Sequence, residues 1–162
     1  IWIQGPALYR GYYGQSPHPT NEPLATGDLG FLLDQQLYVT GRQKDLIILR
    51  GENHHPSEIE WALQGISGLR KGRAAAFGVY DSKRGTDLLC VVAEQDRRTT
   101  IEPSSLSESI RRQVHERTGL WIDHLKIAPS GTIPTTTSGK IQRSLVRQHF
   151  MASHTISQDP DA

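Results

Sequence analysis

Residues 41–60 read GRQKDLIILRGENHHPSEIE. Gly41 and the charged Arg42, Lys44 and Asp45 lead into the apolar run Leu46 to Leu49, which reads as a strand that Gly51 ends. Ser57 followed by Glu60 has the S-x-x-E spacing of a capping box, and Ile59, Ala62 and Leu63 beyond it share one face of a helix. A short strand therefore hands over to a short amphipathic helix.

Downstream, AAAFGVYD and DLLCVVAE read as two strands joined by a polar loop at 81–86. EPSSLSESIRRQVHERTG is the clearest helix: Leu106, Ile110 and Val114 recur at i, i+4, i+8, and Gly119 stops it. HLKIAP is a further short strand. A helix is predicted from about Lys140 to Met151, with Ile141, Leu145 and His149 aligned. Strands and helices alternate from about residue 44, without the spacing of a large doubly wound sheet. The expected fold is a small α+β domain with a few strands packed on two or three helices.

Upstream the pattern changes. Ile1 to Gln4 alternates, Tyr9 to Tyr13 is aromatic, and 15–23 reads as a loop. LGFLLDQQLYVTG reads as a hairpin around Asp34, Gln35 and Gln36. No helix is expected there, so residues 1–43 are read as the end of a preceding domain, 44–151 as a second domain, and 152–162 as a polar disordered tail or linker.

Composition bounds the function. The chain has 162 residues, is 36% apolar and 22% charged, and carries a net charge of +1. That balance gives no electrostatic footprint for nucleic acid or a membrane surface. No apolar run approaches the length of a membrane span. The single Cys90 lies in an apolar run and is read as core; one cysteine forms no internal disulfide, which fits the cytoplasm. The chain begins IWIQGPAL, without Met or signal peptide, and reads as a piece of something larger.

Four places carry candidate chemistry. Asp28, in TGDLG, is a turn carboxylate able to accept hydroxyls such as those of a ribose. Arg42 offers planar forked donors to phosphate or ribose oxygens, next to the backbone freedom of Gly41. His54 and His55 are neighbours on an extended segment, point to opposite sides, and make a poor metal pair, so no metal site is assigned. Lys140 follows a small polar run, and the run is not a P-loop. The first glycine of G-x-x-x-x-G-K-[ST] falls on Pro134, and the residue after Lys140 is Ile141 rather than Ser or Thr. A lysine at a helix start still fits an anion-recognition site.

The order of these pieces is more specific than any one of them. TGD, then GRxKDxIxxRGxNxxPxEIE, then PTTTSGKIQR resemble the closing motifs of the adenylate-forming superfamily, over roughly residues 1–150. Within it, KDLIILRGENHHPSEIE and GTIPTTTSGKIQR look most like the fatty acyl-AMP ligases. The resemblance implies the end of a large adenylation core and the whole of a small mobile C-terminal subdomain. It implies Lys44 as the hinge, Asp28 on the ribose hydroxyls of ATP, Arg42 on the nucleotide, and Lys140 as the adenylation lysine. It implies that Arg50, Gly51 and Glu52 line a channel for a phosphopantetheine thiol, with Gly51 needed so that no side chain blocks the approach. ATP, magnesium, a fatty acid and an acyl carrier protein are the implied reactants and partners. The phosphate loop, the magnesium-binding glutamate and the acyl pocket are expected upstream, so this piece alone is expected to be inactive. Acyl-CoA ligases carry close variants of both motifs and form one alternative. A non-catalytic carrier-docking module is another, to which an adenylation lysine would be superfluous.

Overall fold

The computed structural model describes residues 1–153, apart from 10, 12, 15, 18, 20 and 21. The tail at 154–162 and part of the loop at 15–23 therefore lie outside the described residues. The chain divides into two units, one ending at Lys44 and the other starting at Asp45.

In the first unit β1 (Trp2–Ile3) pairs antiparallel with β2 (Leu24–Ala25). β3 (Asp28–Leu33) and β4 (Gln36–Arg42) form an antiparallel hairpin. Its turn is Asp34-Gln35, both at positive φ (48° and 62°), which is the geometry that follows the twist of the strands. The apolar side chains of this hairpin, among them Leu32, Leu33 and Val39, are exposed, and Phe31 stacks on Tyr38 at 5.3 Å. Gly41, read as a flexible point, lies within β4, beside an irregularity of register at Leu29/Gly30.

A 3₁₀ turn at Gln43–Asp45 precedes the second unit's first strand, β5 (Ile47–Leu49). It then runs β6 (Glu52–His54), α1 (Pro56–Ala62), β7 (Leu69–Asp81), β8 (Thr86–Gln95), α2 (Pro103–Thr118), β9 (His124–Ala128) and α3 (Arg143–Ser153). β5 and β6 form a small hairpin. The main sheet has the order β7-β8-β9, with β7 and β8 antiparallel and β8 and β9 parallel. The parallel pair is connected through α2, as a crossover requires.

Helices cover both faces of this sheet, and the strand alternation sorts the core into two. Ala76, Leu89, Val91 and Ala93 pack with Ile59, Ala62 and Leu63 of the α1 segment and with Leu106, Ile110 and Val114 of α2. Ala75, Phe77, Leu88, Cys90 and Val92 pack with Val146 and Phe150 of α3. β8 is central and buried on both sides, so it reads as a continuous apolar run rather than an alternating one. Burial of Cys90 pushes its thiol up to about 12, the state of an inert core residue. Gly119 closes α2 in the left-handed conformation, φ 72°.

Three local expectations are corrected. The capping box does not form: α1 begins at Pro56, His55 is the N-cap without a side-chain bond, and Glu60 turns to other partners. Proline at the first helical position takes the place Ser57 was expected to open. The last helix starts at Arg143 rather than near Lys140, and buries Val146 and Phe150 while His149 is exposed. Ala152 and Ser153, assigned to a disordered tail, close that helix.

Candidate active site

Lys140 lies on the returning arm of a hairpin-like loop, next to the bridge that closes it, not on a helix N-terminus. Thr135 and Ile141 form an antiparallel bridge that holds the intervening residues out of α3. The Thr136 N–H donates to the Lys140 carbonyl at 2.8 Å, and the Gly139 N–H to the Thr136 carbonyl at 2.9 Å. The Lys140 N–H donates to Thr136 Oγ1 at 3.1 Å, and the hydroxyls of Thr136 and Ser138 bond to each other at 2.9 Å. The hydroxyls of Thr136 and Ser138 thus shape the turn. Gly139 takes φ 83°, which an L side chain adopts only with strain. The Lys140 side chain is exposed and has no ion pair among the described residues. Its ammonium is free to meet an anion.

Each foot of this loop is tied to a carboxylate. At the first foot, the Ile133 N–H donates to Glu94 Oε1 at 2.7 Å. Glu94 is fully buried and also receives the Arg70 guanidinium at 2.8 Å. Burial works against its charge, but the backbone N–H groups of Gly131 and Ile133 together with Arg70 outweigh it, and its carboxyl is held below the usual range. At the second foot, Arg143 grips Glu60 through Nε at 2.8 Å and Nη2 at 2.6 Å. That bond raises the arginine's pKa against the opposing effect of burial. Glu60 also accepts the Ala76 N–H at 3.1 Å, and Arg143 comes within 4.0 Å of Asp45.

A second face is built by β5 and β6. Arg50 (φ 52°) and Gly51 (φ 85°) form the tight turn between them, with Leu49 opposite Glu52. The hairpin is pinned to the start of β8. The Arg50 N–H donates to Thr86 Oγ1 at 2.7 Å, Thr86 Oγ1 to the Ile48 carbonyl at 3.0 Å, and the Ile48 N–H to Asp87 Oδ2 at 2.8 Å. An open groove of about 490 Å³ runs beside it, lined by Leu49, Arg50, Glu52, His54, Arg84 and Trp121 among others. Arg84 is held at 2.9 Å from Asp123, and Trp121 stacks on His115 at 3.8 Å. A Cβ built on Gly51 meets nothing within 4 Å, so within this chain it is the positive φ that calls for glycine. His54 leans toward Glu52 at 3.8 Å, while His55 caps α1. Among the described residues no three His, Cys, Asp or Glu side chains group as a metal would need.

In the first unit, Asp28 and Arg42 are opposite one another in the β3–β4 register, and Arg42 Nε stands 3.0 Å from Asp28 Oδ1. Asp28 opens β3 rather than sitting in the turn, and its N–H donates to Thr26 Oγ1 at 3.0 Å. Oδ2 accepts no bond among the described residues, which leaves an acceptor for hydroxyls of the kind a ribose presents. Lys44, in the 3₁₀ turn, is the last residue of this unit.

Sequence reading did not single out Glu94, Arg143, Arg84 or Trp121, and it took Glu60 for a capping residue only. For Arg143 a signal existed, since the motif that ends in KIQR closes on it.

No family model matches the chain. It is 34% identical over 171 residues to JamA, a medium-chain-fatty-acid–[acyl-carrier-protein] ligase of Moorena producens, covering 93% of this chain and 28% of that protein. It is 37% identical over 173 residues to FadD26, a long-chain-fatty-acid–AMP ligase of Mycobacterium tuberculosis, covering 93% of this chain and 29% of that protein. The chain thus spans under a third of the length of these relatives. Among solved structures, McyG A-PCP complexed with phenylalanyl-adenylate superposes with a TM-score of 0.80 at 29% identity, over 93% of this chain and 28% of that one. The fatty acyl-adenylate ligases from E. coli and L. pneumophila give 0.77 at 29% identity, over 96% and 28%. The chain belongs to the adenylate-forming enzymes, of which it is a C-terminal part.

Proposed function

We propose that this chain belongs to a fatty acyl-AMP ligase that activates a fatty acid with ATP and passes the acyl group to the phosphopantetheine thiol of an acyl carrier protein. Its similarity, along nearly its whole length, to JamA and FadD26 carries the reading. In this account residues 1–43 end the adenylation core, and the exposed apolar hairpin β3–β4 is a remnant of its sheet. The rest is the mobile subdomain, hinged at Lys44.

The residues fit the nucleotide. Asp28, oriented by Arg42, offers its free oxygen to the ribose hydroxyls, and Arg42 keeps further donors for the nucleotide. In the first half-reaction the fatty carboxylate attacks the α-phosphorus of ATP and pyrophosphate leaves. Lys140 reaches the carboxylate and the α-phosphate together and stabilises the charge between them. Magnesium would supply charge neutralisation on the phosphates when bound, and none of the residues named here is proposed to hold it.

In the second half-reaction Lys140 withdraws and the face of Arg50, Gly51 and Glu52 takes its place. The open groove of about 490 Å³ between that hairpin and Trp121 offers a pantetheine arm a path along this face. Arg50 borders it with a cation, while Arg84 is engaged by Asp123.

The relatives from Mycobacterium leprae and Mycobacterium tuberculosis described as putative fatty-acid–CoA ligases, 33% and 32% identical, favour CoA as the second reading of the acceptor. The test uses the whole protein that carries this chain, with ATP, magnesium and a medium-chain fatty acid. CoA or a phosphopantetheinylated carrier protein is added in parallel. Acyl-adenylate that persists with CoA and is consumed by the carrier supports the proposal. Efficient acyl-CoA formation replaces it with the second reading.

A further inference from the structure

We infer that Glu60 and Glu94 are positioning residues for Lys140, acting as two clamps on the feet of its loop. The inference rests on the proposed role of Lys140. Both carboxylates are on elements of the sheet-and-helix core, α1 and β8, and neither touches Lys140. Glu94 fixes the chain at Ile133, and Glu60 fixes it at Arg143. The Thr135–Ile141 bridge lies between the two fixed points.

The arrangement separates two requirements. A lysine that must reach a carboxylate and a phosphate at once needs its backbone held to within about an ångström. It also needs an exposed tip so that the ammonium enters and leaves another surface. The turn's own hydrogen bonds give it shape, but all of them are internal to residues 134–142. The two carboxylates make the side-chain bonds that relate that shape to the core, and burial of Ile133 and Val146 and the packing of Ile141 against the α3 side of the core reinforce them. The Glu60 clamp is bidentate, so it fixes direction as well as distance.

Asp45 adds a second consequence. It is the first residue of the second unit, follows Lys44 directly, and shares the Arg143 guanidinium with Glu60. The loop that carries Lys140 is thereby referenced to the point where the unit begins. A change at that point and a change in the loop act on one side chain.

The test has two arms. In the 162-residue chain, hydrogen exchange is followed at Thr136, Gly139 and Gln142, with Val91 and Ala93 of β8 as the internal reference. Glu60→Gln and Arg143→Lys are each expected to speed exchange in the loop by about tenfold or more while leaving β8 unchanged. Glu94→Gln, which also lowers the stability of β8 itself, is expected to speed exchange in the loop about tenfold more than in β8. If that variant does not fold, Glu60→Gln and Arg143→Lys, whose partners are nearer the surface, decide the matter. Unchanged loop exchange, or an equal rise in loop and sheet, overturns the inference.

In the whole protein, the same variants are expected to lower kcat for pyrophosphate release about tenfold while KM for ATP moves less than twofold. Transfer from preformed acyl-adenylate is expected to be unaffected. An equal fall in both half-reactions marks a merely structural role and overturns it. Lys140→Ala is run alongside. If it leaves pyrophosphate release intact, the adenylation reading fails, whereas the clamp itself is judged by the exchange arm alone.

Discussion

Arg42 Nε stands 3.0 Å from Asp28 Oδ1, across the pair of residues where β3 and β4 begin and end. The pair is partly exposed, with 54% of the arginine and 30% of the aspartate side chain accessible, so its contribution to stability is below about 1 kcal/mol. Its value is orientation. Arg42→Ala in the whole protein is expected to raise KM for ATP by about tenfold, and Arg42→Lys to recover little, because a point charge cannot replace a planar fork. Steady-state kinetics at varied ATP check this. A lysine variant indistinguishable from wild type would remove Arg42 from the nucleotide site.

Lys140→Ala is expected to reduce pyrophosphate release by about a hundredfold to a thousandfold, the usual cost of a lost preorganised donor. The melting temperature should stay put, because the side chain is exposed and unpaired among the described residues. The isolated chain, with or without this change, is expected to release no pyrophosphate from ATP and fatty acid. Detectable turnover by the isolated chain would contradict the assignment of the phosphate and acyl sites to the preceding domain.

Gly78 supports Asp87. A Cβ at Gly78 would come 2.4 Å from Asp87 Oδ2, the same oxygen that accepts the Ile48 N–H. Gly78→Ala is therefore expected to displace the carboxylate, cost about 1–3 kcal/mol, and loosen β5 from β8. Denaturant melts give the first number, and exchange at Ile48 gives the second. No change at Ile48 would show that Asp87 finds another way to reach it.

Glu94 predicts an acid limb. Its folded pKa lies below the ordinary value of 4.5, so its stabilisation is complete above that pH and is lost as pH falls through the lowered folded value. Glu94→Gln is expected to cost about 3 kcal/mol at neutral pH, since it leaves Arg70 and the loop amides without a charge. Below pH 4.5 the gap between variant and wild type should shrink. Melts across pH 2–7 test the sign; a gap that widens on acidification would refute it.

Much of this architecture can be read from one dimension. α2 announces itself through Leu106, Ile110 and Val114, and the β3–β4 hairpin through two apolar runs around a polar turn. β6 was not legible because Glu52, Asn53 and His54 are polar and too few to show a period. Lys140 was legible as a residue and misplaced as geometry. A run of Thr and Ser has no periodicity, and only the Thr135–Ile141 bridge delays the helix to Arg143. Glu60 was misread for a sharper reason. The S-x-x-E spacing is the same whether the glutamate folds back on its own helix or reaches out, and here it reaches Ala76 and Arg143. Long-range partners of that kind leave no local trace.

The burial of Cys90 gives the chain a practical property. It holds the sole thiol of the sequence, packed in the core with its acidity pushed to about 12. Maleimides and disulfide probes therefore find a silent background while the fold is closed. A cysteine placed at Ser138 or at Glu52 would be the one reactive group, so a single dye on either face could report that face's exposure without first removing a native residue.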